Sequence, residues 1–166
     1  MSQPRLHQND PVSKDRLRLW LRMLKTTRHI EAALREKLRV EFATTLPRFD
    51  VMSALSRNAE GMKMSAISGA LRVSNGNITG IIDRLAEDGH VVRVSVPGDR
   101  RASLVRLTQK GQEEFARQAE AHEAWLNKML GDFAQDEATE LGRRLDALDK
   151  ALTKEKLCVP MSNISN

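Results

Sequence analysis

Hydrophobic residues recur at steps of three and four along three long stretches of the chain, and each stretch predicts a helix. The first helix is predicted from Ser13 to about Phe42, the second over about 109–131 after a Thr108 cap, and the third from Asp136 onward. The stripe positions are Leu17, Trp20, Leu21, Leu24, Ile30, Leu34 and Leu38, then Phe115, Ala119, His122, Trp125, Leu126, Met129 and Leu130, then Leu141, Leu145, Leu148 and Leu152. One small domain cannot cover this much apolar surface, so the stripes predict a two-fold dimer with interlocking terminal helices. The alternative is a monomeric helical core.

Shorter elements lie between the long helices. A helix is predicted from about Pro47 to Arg57, started by Pro47 and capped by the hydroxyl of Thr44 or Thr45. Its apolar positions are Phe49, Val51, Met52 and Leu55. Residues 58–62 are predicted to form a loop.

Residues 64–108 carry the pattern of two helices followed by two strands. The apolar helix positions are Ala66, Ile67 and Leu71, then Ile78, Ile81, Ile82 and Leu85. Arg72-Val73 forms the turn between the helices, Ser74 stands at the second N-cap, and Gly89 supplies the left-handed residue that ends the second helix. Valines over 91–96 and the apolar residues of 104–107 predict a hairpin.

A helix-turn-helix followed directly by a hairpin is a winged helix. The fold class is therefore mainly α, a winged helix-turn-helix with a small β-hairpin wing and long N- and C-terminal dimerisation helices. The predicted plan is a flexible arm over 1–12, a helical dimerisation region over 13–42 and 109–154, a winged helix-turn-helix DNA-binding domain over 46–108, and a tail over 155–166. The alternative is a packed helix pair and a hairpin with a solvated charged turn.

The charge distribution favours a nucleic-acid partner. The formal net charge is +5, and residues 63–110 hold eight Lys or Arg against four Asp or Glu. Residues 111–166 instead hold seven basic against eleven acidic residues, so a DNA duplex is attracted to one side of the molecule. Aromatic residues make up 4% of the chain and tyrosine is absent, which argues against single-strand binding by base stacking.

Several other classes are disfavoured. The four histidines, which are His7, His29, His90 and His122, fall in separate segments without metal-ligand spacing, and no Gly-rich phosphate loop occurs. We therefore expect no enzyme, no cofactor and no metal. The chain has no apolar run of transmembrane length and no signal-peptide core at its start, so no membrane partner and a cytoplasmic location are expected. A single cysteine, Cys158, excludes an intramolecular disulfide and a cysteine-based zinc site.

Several motifs together resemble those of the MarR family of winged-helix regulators. They are Val73–Leu85 (VSNGNITGIIDRL), Asp88-Gly89, Asp99-Arg100-Arg101 and Val105–Gly111 (VRLTQKG), preceded by Leu46–Leu55. The resemblance covers roughly residues 16 to 153, and its most specific part is the Asp-x-Arg of the wing with the following strand and Leu-Thr-x-x-Gly. His90 departs from the pattern, because the family usually has an aliphatic residue there. The resemblance implies a homodimer on a palindromic operator.

The second helix of the helix-turn-helix offers residues that can bind double-stranded DNA. Its candidate DNA-binding residues are Asn75, Gly76, Asn77, Thr79, Gly80 and Arg84, joined by Ser65 and Ser74 as phosphate donors. Asn pairs with adenine and Thr contacts thymine, whereas Arg84 is expected on a phosphate or paired with Asp83 or Asp88. Gly76 and Gly80 are consistent either with a close approach of the helix backbone to DNA or with neutral sequence drift on an exposed face. In the wing, the resemblance implies that Asp99 orients Arg101 into the minor groove while Arg100 contacts a phosphate.

The resemblance also implies a small-molecule effector, because the family commonly holds an aromatic acid between its dimerisation helices and its winged helix. The candidate ligand-binding residues are Trp20, Arg22, Leu24, His29, Arg48, Phe49 and Met52. Trp20, Phe49 and Met52 are alternatively core residues. The Arg-rich start of the first helix is similar to the family branch that senses aromatic acyl-CoA thioesters.

The predicted function is a ligand-responsive transcriptional regulator of aromatic compound catabolism. It is expected to be a homodimeric repressor, released from its palindromic operator by a small aromatic acid or the CoA thioester of that acid. Two alternatives stay open, a redox-sensing regulator acting through Cys158 and a winged-helix module that docks onto another protein.

Overall fold

The computed structural model describes residues 11–96 and 99–157 of the chain. The elements are α1 (Pro11–Phe42), α2 (Leu46–Ser56), β1 (Met62–Lys63), α3 (Met64–Leu71), α4 (Asn75–Glu87), β2 (Val91–Val96), β3 (Asp99–Leu107), α5 (Gln109–Met129) and α6 (Gln135–Leu157). The predicted fold class, a mainly helical winged helix with a small antiparallel wing, is confirmed. The described residues divide into two compact units, one up to Trp125 and one from Leu126 onward.

The core of the winged helix is built from the apolar faces of three helices and two strands. Its buried members are Val51, Met52 and Leu55 of α2, Ile67 of α3, Ile78, Ile82 and Leu85 of α4, Val91 of β2, and Val105 and Leu107 of β3. Because helical spacing brings every third or fourth residue of α4 to one side, Ile78, Ile82 and Leu85 are fully buried together, whereas Ile81, also predicted on this face, is only partly buried. The winged helix therefore buries this core without a second chain.

A short strand that the sequence did not predict completes the sheet. Residues 58–62 were predicted to form a loop, but Met62 joins Lys63 in β1, which pairs with Val105 and Leu104 of β3 and gives the order β1-β3-β2. A strand of two residues is too short to show the alternation of apolar and polar positions that identifies a strand in the sequence. Gly61 permits the pairing, because its φ is +97° and an added Cβ would lie 2.9 Å from the Val105 carbonyl oxygen.

The helix-turn-helix has the predicted ends but one different buried residue. Ser74 caps α4 by accepting a hydrogen bond from the Asn77 N–H at 3.4 Å, and Gly89 is left-handed with a φ of +75°. In α3, however, Ala66 is exposed and Ser68 is buried beside Ile67. The Ser68 hydroxyl donates to the Val73 carbonyl at 2.5 Å, so its polar group is satisfied across the turn.

Several predicted helix ends need correction. The Thr45 side chain accepts no capping hydrogen bond at α2, which begins at Leu46 with proline in its first turn. The first long helix begins at Pro11, ahead of Ser13, because a proline is favourable in a first helical turn. The last helix extends to Leu157, beyond the predicted end at 154, since no Gly or Pro intervenes. Thr108 caps α5 as predicted, by accepting from the Gly111 N–H at 3.0 Å.

The terminal helices leave much of their apolar surface open. In α1, Leu34 and Leu38 are buried, whereas Leu17, Trp20 and Leu21 are 58%, 53% and 53% exposed. In α6, the four stripe leucines are all exposed: Leu141, Leu145, Leu148 and Leu152. Across residues 11–96 and 99–157, no helix combines the length and apolar character needed to cross a membrane.

Candidate nucleic-acid interface

Helix α4 has one buried face and one open face. Opposite its buried isoleucines and leucine, five predicted DNA-contacting positions are exposed: Gly76, Asn77, Thr79, Gly80 and Arg84. Ser74 is exposed at the N-cap, and Ser65 is exposed in the first turn of α3. The side chain of Asn75 lies outside the described residues. The open face is therefore a polar surface that the fold itself does not use for packing.

The two glycines of α4 border an open groove. Neither has a left-handed φ, and a Cβ added at Gly76 or Gly80 would meet no atom within 4 Å, so the fold does not require glycine at either position. The groove has a volume of about 690 Å³ and runs between α4 and the start of α2, where Pro47 and Arg48 line it. Small residues on α4 widen this groove and let another molecule approach the helix backbone.

Two of the three acidic residues at α4 and its C-cap, Asp83 and Asp88, are paired with cations from other elements, whereas Glu87 is exposed and has no ion-pair partner among the described residues. Arg93 of β2 donates to Asp83 at 2.6 Å, and Arg48 of α2 forms an ion pair with Asp88. The hydrogen bond from Arg48 lowers the pKa of the Asp88 carboxyl. Arg84 is thus not the partner of either aspartate and makes no ion pair within the described part of the chain. This arrangement leaves a positive charge at the C-terminal end of the open face.

The end of α4 is fastened to the start of α5. The Lys110 ammonium group donates a hydrogen bond to the Asp88 carbonyl at 2.7 Å, and the Thr108 hydroxyl donates one to the Gly89 carbonyl at 2.7 Å. Gly111 is required here, because an added Cβ would lie 1.9 Å from the His90 carbonyl oxygen. Burial, followed by the nearby Lys110 charge, lowers the pKa of His90. The sequence motif contained these residues, but their contacts with the end of α4 were not predicted.

The wing is an antiparallel pair of strands. β2 and β3 pair from Val91 opposite Leu107 to Ser95 opposite Ser103, and the register shifts between Ser95 and Val96. The backbone of 99–101 belongs to β3. The side chains of Asp99, Arg100 and Arg101 lie outside the described residues, so their roles in the wing stay predictions.

Comparisons with known proteins identify the family. A model described as MarR family matches residues 44–102. The crystal structure of a MarR family transcriptional regulator from Silicibacter pomeroyi superposes with a TM-score of 0.73 and 30% sequence identity, over 87% of this chain and 99% of that one. This chain belongs to the MarR family. It is accordingly a DNA-binding transcriptional regulator and not an enzyme.

Two further relatives extend the comparison of this MarR-family chain. The transcriptional activatory protein BadR of Rhodopseudomonas palustris is 37% identical over 98 residues, which are 57% of this chain and just over half (56%) of BadR. A MarR family regulator from Streptomyces coelicolor, solved in complex with DNA, has a TM-score of 0.75 at 18% identity and covers 92% of this chain and 93% of its own. The second match shows a shared fold.

The predicted ligand-binding residues are not brought together within one chain of this MarR-family protein. Trp20, Arg22 and His29 are exposed along α1, and Leu24 is half-buried there. Trp20 is also far from the buried end of α1. Leu38, which is buried there, lies 18 residues later, or about 27 Å along the helix axis at a rise of about 1.5 Å per residue. The expectation that Trp20 is alternatively a core residue is wrong for the single chain, because it is 53% exposed.

The remaining predicted ligand residues lie where α2 begins. Phe49 and Met52 are buried, as the alternative core interpretation predicted, and Arg48 is engaged with Asp88. The Phe49 ring stacks on His122 of α5 with centroids 4.6 Å apart, and burial lowers the pKa of that histidine. This stacked pair was not predicted, although His122 had been placed on the α5 stripe.

Proposed function

We propose that this MarR-family regulator is a homodimer that reads a palindromic operator through the open face of α4 and through its wing. The observation that carries the proposal is the polar, unpacked face of α4. On that face Asn77 and Thr79 can hydrogen-bond to base edges in a major groove. Ser65, Ser74 and Arg84 contact flanking phosphates, and Arg101 enters the adjacent minor groove while Asp99 orients it and Arg100 binds a phosphate.

The homodimer is supported by the apolar surface of the terminal helices. Three residues of α1 and four leucines of α6 are about half exposed in the single chain. Burial of apolar surface stabilises association by roughly 25 cal/mol per Å² before the costs of association are subtracted. A second copy of this chain buries these stripes, and its own α4 then lies on the next half-site of the operator.

The effector in this proposal is an aromatic acid or the CoA thioester of that acid. The N-terminal half of α1 is rich in exposed cations, which are Lys14, Arg16, Arg18, Arg22, Lys25 and Arg28. The groove beside α4 carries Arg84 on its wall, together with Arg48, whose charge is already partly offset by Asp88. Both places suit an anion, because guanidinium groups bind carboxylates and phosphates through paired hydrogen bonds. A ligand that prefers one spacing of the two α4 helices shifts the dimer toward that spacing.

We propose that the protein represses transcription and that binding of the effector relieves this repression. BadR is named as an activatory protein, so the alternative is that this protein activates transcription through the same contact with the operator. A reporter under the protein's own promoter distinguishes them, because deleting the regulator raises expression for a repressor and lowers it for an activator. Reporter expression that stays unchanged on deletion under every candidate inducer would contradict both. Cys158, the candidate redox residue, lies outside the described residues.

A gel shift on the DNA that flanks the protein's own coding region tests the proposal. We expect a shifted band that aromatic acids or their CoA thioesters release. Binding should weaken steeply between about 50 and about 200 mM salt, because phosphate contacts release counterions. A shift that none of these compounds releases would contradict the effector class alone. No shift at low salt would contradict the placement of α4 on DNA and favour a protein-docking winged helix.

A further inference from the structure

Arg72 occupies a backbone conformation that suits glycine better than arginine. It follows the last residue of α3 with a φ of 54° and a ψ of 39°, in the left-handed region. Side chains with a Cβ are strained there, whereas glycine is not. Gly61 and Gly89 fill two other left-handed positions of the winged helix. An arginine at this turn therefore carries a cost that glycine would avoid.

Among the residues that the structure describes, none forms an ion pair or hydrogen bond with the Arg72 side chain. The backbone N–H of Arg72 donates to the Gly69 carbonyl and closes the end of α3, a bond that any residue except proline can make. The guanidinium is exposed. The turn uses left-handed backbone, but no contact within the described residues requires arginine there, and this points to a functional constraint on the side chain.

The position of Arg72 relative to α4 indicates what that constraint is. Arg72 stands two residues before the Ser74 N-cap, and Arg84 stands ten residues after it, or about 15 Å farther along the helix at about 1.5 Å per residue. The exposed positions between them are uncharged, apart from Asp83, which Arg93 neutralises. The major groove of B-DNA is about 12 Å wide and has phosphates along both borders, so a cation at either end of a helix that lies in the groove can reach a phosphate.

We infer that Arg72 contacts a DNA phosphate at the N-terminal end of α4, separate from the phosphate that Arg84 contacts at the other end of the helix. This inference rests on the proposed placement of α4 in the groove. The two unpaired arginines bracket a neutral, base-reading segment, and the glycine-like turn brings the Arg72 side chain out at the start of that segment. Arg72 supplies binding energy that does not depend on sequence, since a phosphate contact carries no base information.

Arg72→Gly and Arg72→Asn test this inference, because both residues tolerate left-handed backbone and neither is charged. Binding to a short mixed-sequence DNA duplex and to an operator selected from random duplexes is measured across a salt series. We expect affinity for both DNAs to fall at least about fivefold, and the slope of log K against log salt to decrease by about 0.9 per protomer. The melting temperature should stay level or rise, because the strained backbone is relieved.

Three matched variants separate the contact from its alternatives. Ala43 is also left-handed, with a φ of 49°, so Ala43→Gly relieves the same kind of strain without removing a charge. Arg144→Gln removes one positive charge from α6, outside the winged helix. We expect both to keep the wild-type salt slope. Arg72→Lys keeps the charge and should keep most of the slope.

The outcomes are distinguishable. Wild-type affinity and slope in Arg72→Gly, with salt-dependent binding intact in the parent protein, would overturn the role of Arg72 and leave the proposed function standing. A matched loss of melting temperature and affinity in both neutral variants would make Arg72 a structural residue and also overturn the inference. If the parent protein shows no salt-dependent duplex binding, the inference and the proposed placement of α4 both fall.

Discussion

The winged helix and the terminal helices differ in where their apolar side chains lie. In the winged helix, ten apolar residues from five elements form one buried cluster within a single chain. In α6, the four stripe leucines are between 44% and 51% exposed, and the N-terminal half of α1 is similar. The first region completes its core within one chain and leaves the polar face of α4 open, whereas the second leaves apolar stripes that we propose a second copy of the chain covers.

The two regions also differ in how their charges are arranged. In α6, Glu140 accepts from Arg143 and Arg144 of the same helix, and these hydrogen bonds lower its pKa to about 2. Near α4, Asp88 and Asp83 are paired with cations from other elements, namely Arg48 and Arg93. Pairs within an exposed helix add little to tertiary structure. Pairs between elements neutralise the acids beside the open face of α4 and fix its end.

The largest effect is expected where α4 and α5 meet. Gly111→Ala places a methyl group against the His90 carbonyl oxygen, and the backbone must move to accept it. We expect the free energy of unfolding to fall by about 3 kcal/mol. Chemical denaturation of the purified protein measures this loss.

Gly69→Ala is the matched control for that substitution, because an added Cβ there meets nothing within 4 Å. It should stabilise α3 by up to about 1 kcal/mol through helix propensity. Equal stability of the two alanine variants would show that the contact between α4 and α5 does not constrain the winged helix.

The next largest effect is expected on dimerisation, which should depend on the terminal helices and not on the winged helix. Leu145→Glu puts a charge on the exposed α6 stripe, which we propose is buried by a second copy. The dimer dissociation constant should rise about 100-fold, or about 2.8 kcal/mol, while the winged helix keeps its melting transition. Sedimentation equilibrium measures the constant. Ala147→Glu adds the same charge on the side of α6 away from the stripe, and it should leave dimerisation unchanged. Equal dimerisation of both variants would exclude the α6 stripe from the interface.

A smaller effect is expected at the tip of the wing. Arg101→Ala should weaken specific operator binding by more than about tenfold, because the minor-groove contact is lost. Arg143→Ala, in α6, removes the same charge and should have little effect. Fluorescence anisotropy at physiological salt compares the two. Equal binding of Arg101→Ala and the parent protein would contradict the role that the family resemblance implies.

The smallest effect is electrostatic and lies at the start of the winged helix. Asp50 is half-buried, and burial, followed by the charge of Glu31, raises its pKa despite the opposing effect of Arg35. A raised folded-state pKa adds stability below the unfolded-state pKa, and this contribution is lost as pH rises through the folded-state value. At neutral pH the charged carboxylate therefore opposes folding.

Asp50→Asn should raise the melting temperature at neutral pH by on the order of 2 °C, a small gain because solvent screens a half-exposed group. The gain should disappear in acid, where the Asp50 carboxyl of the parent protein is protonated. Thermal melts across a pH series measure both. Asp146→Asn on exposed α6 is the control and should change neither. A lower melting temperature in Asp50→Asn at neutral pH would mean that the attraction to Arg35 outweighs burial.

Local features were predictable because their physical cause is local. The α4 helix, its Ser74 cap and its Gly89 terminus follow from helical spacing and from groups within a few residues of one another. The β2–β3 hairpin follows from a run of β-branched residues and a turn. The exposed positions of α4 follow by elimination, since the apolar positions define the buried face. Most of the candidate DNA-binding surface could therefore be located from the chain alone.

Non-local features could not be predicted. β1 exists because Gly61 lets a two-residue segment reach β3. Ser68 is buried because its hydroxyl has a partner across the turn. The ion pair of Arg48 with Asp88 joins residues forty positions apart. No spacing rule encodes such contacts.

By itself, the sequence determined the order of the helices and of the hairpin strands, the buried face of α4 and the basic character of the winged helix. These properties depend on side-chain period and composition, which are written in consecutive residues. Only the tertiary structure decided which cations neutralise Asp83 and Asp88, which positions require glycine, and which arginines at the two ends of α4 have no ion-pair partner among the described residues. Those outcomes depend on distances between elements, and such distances are set by packing.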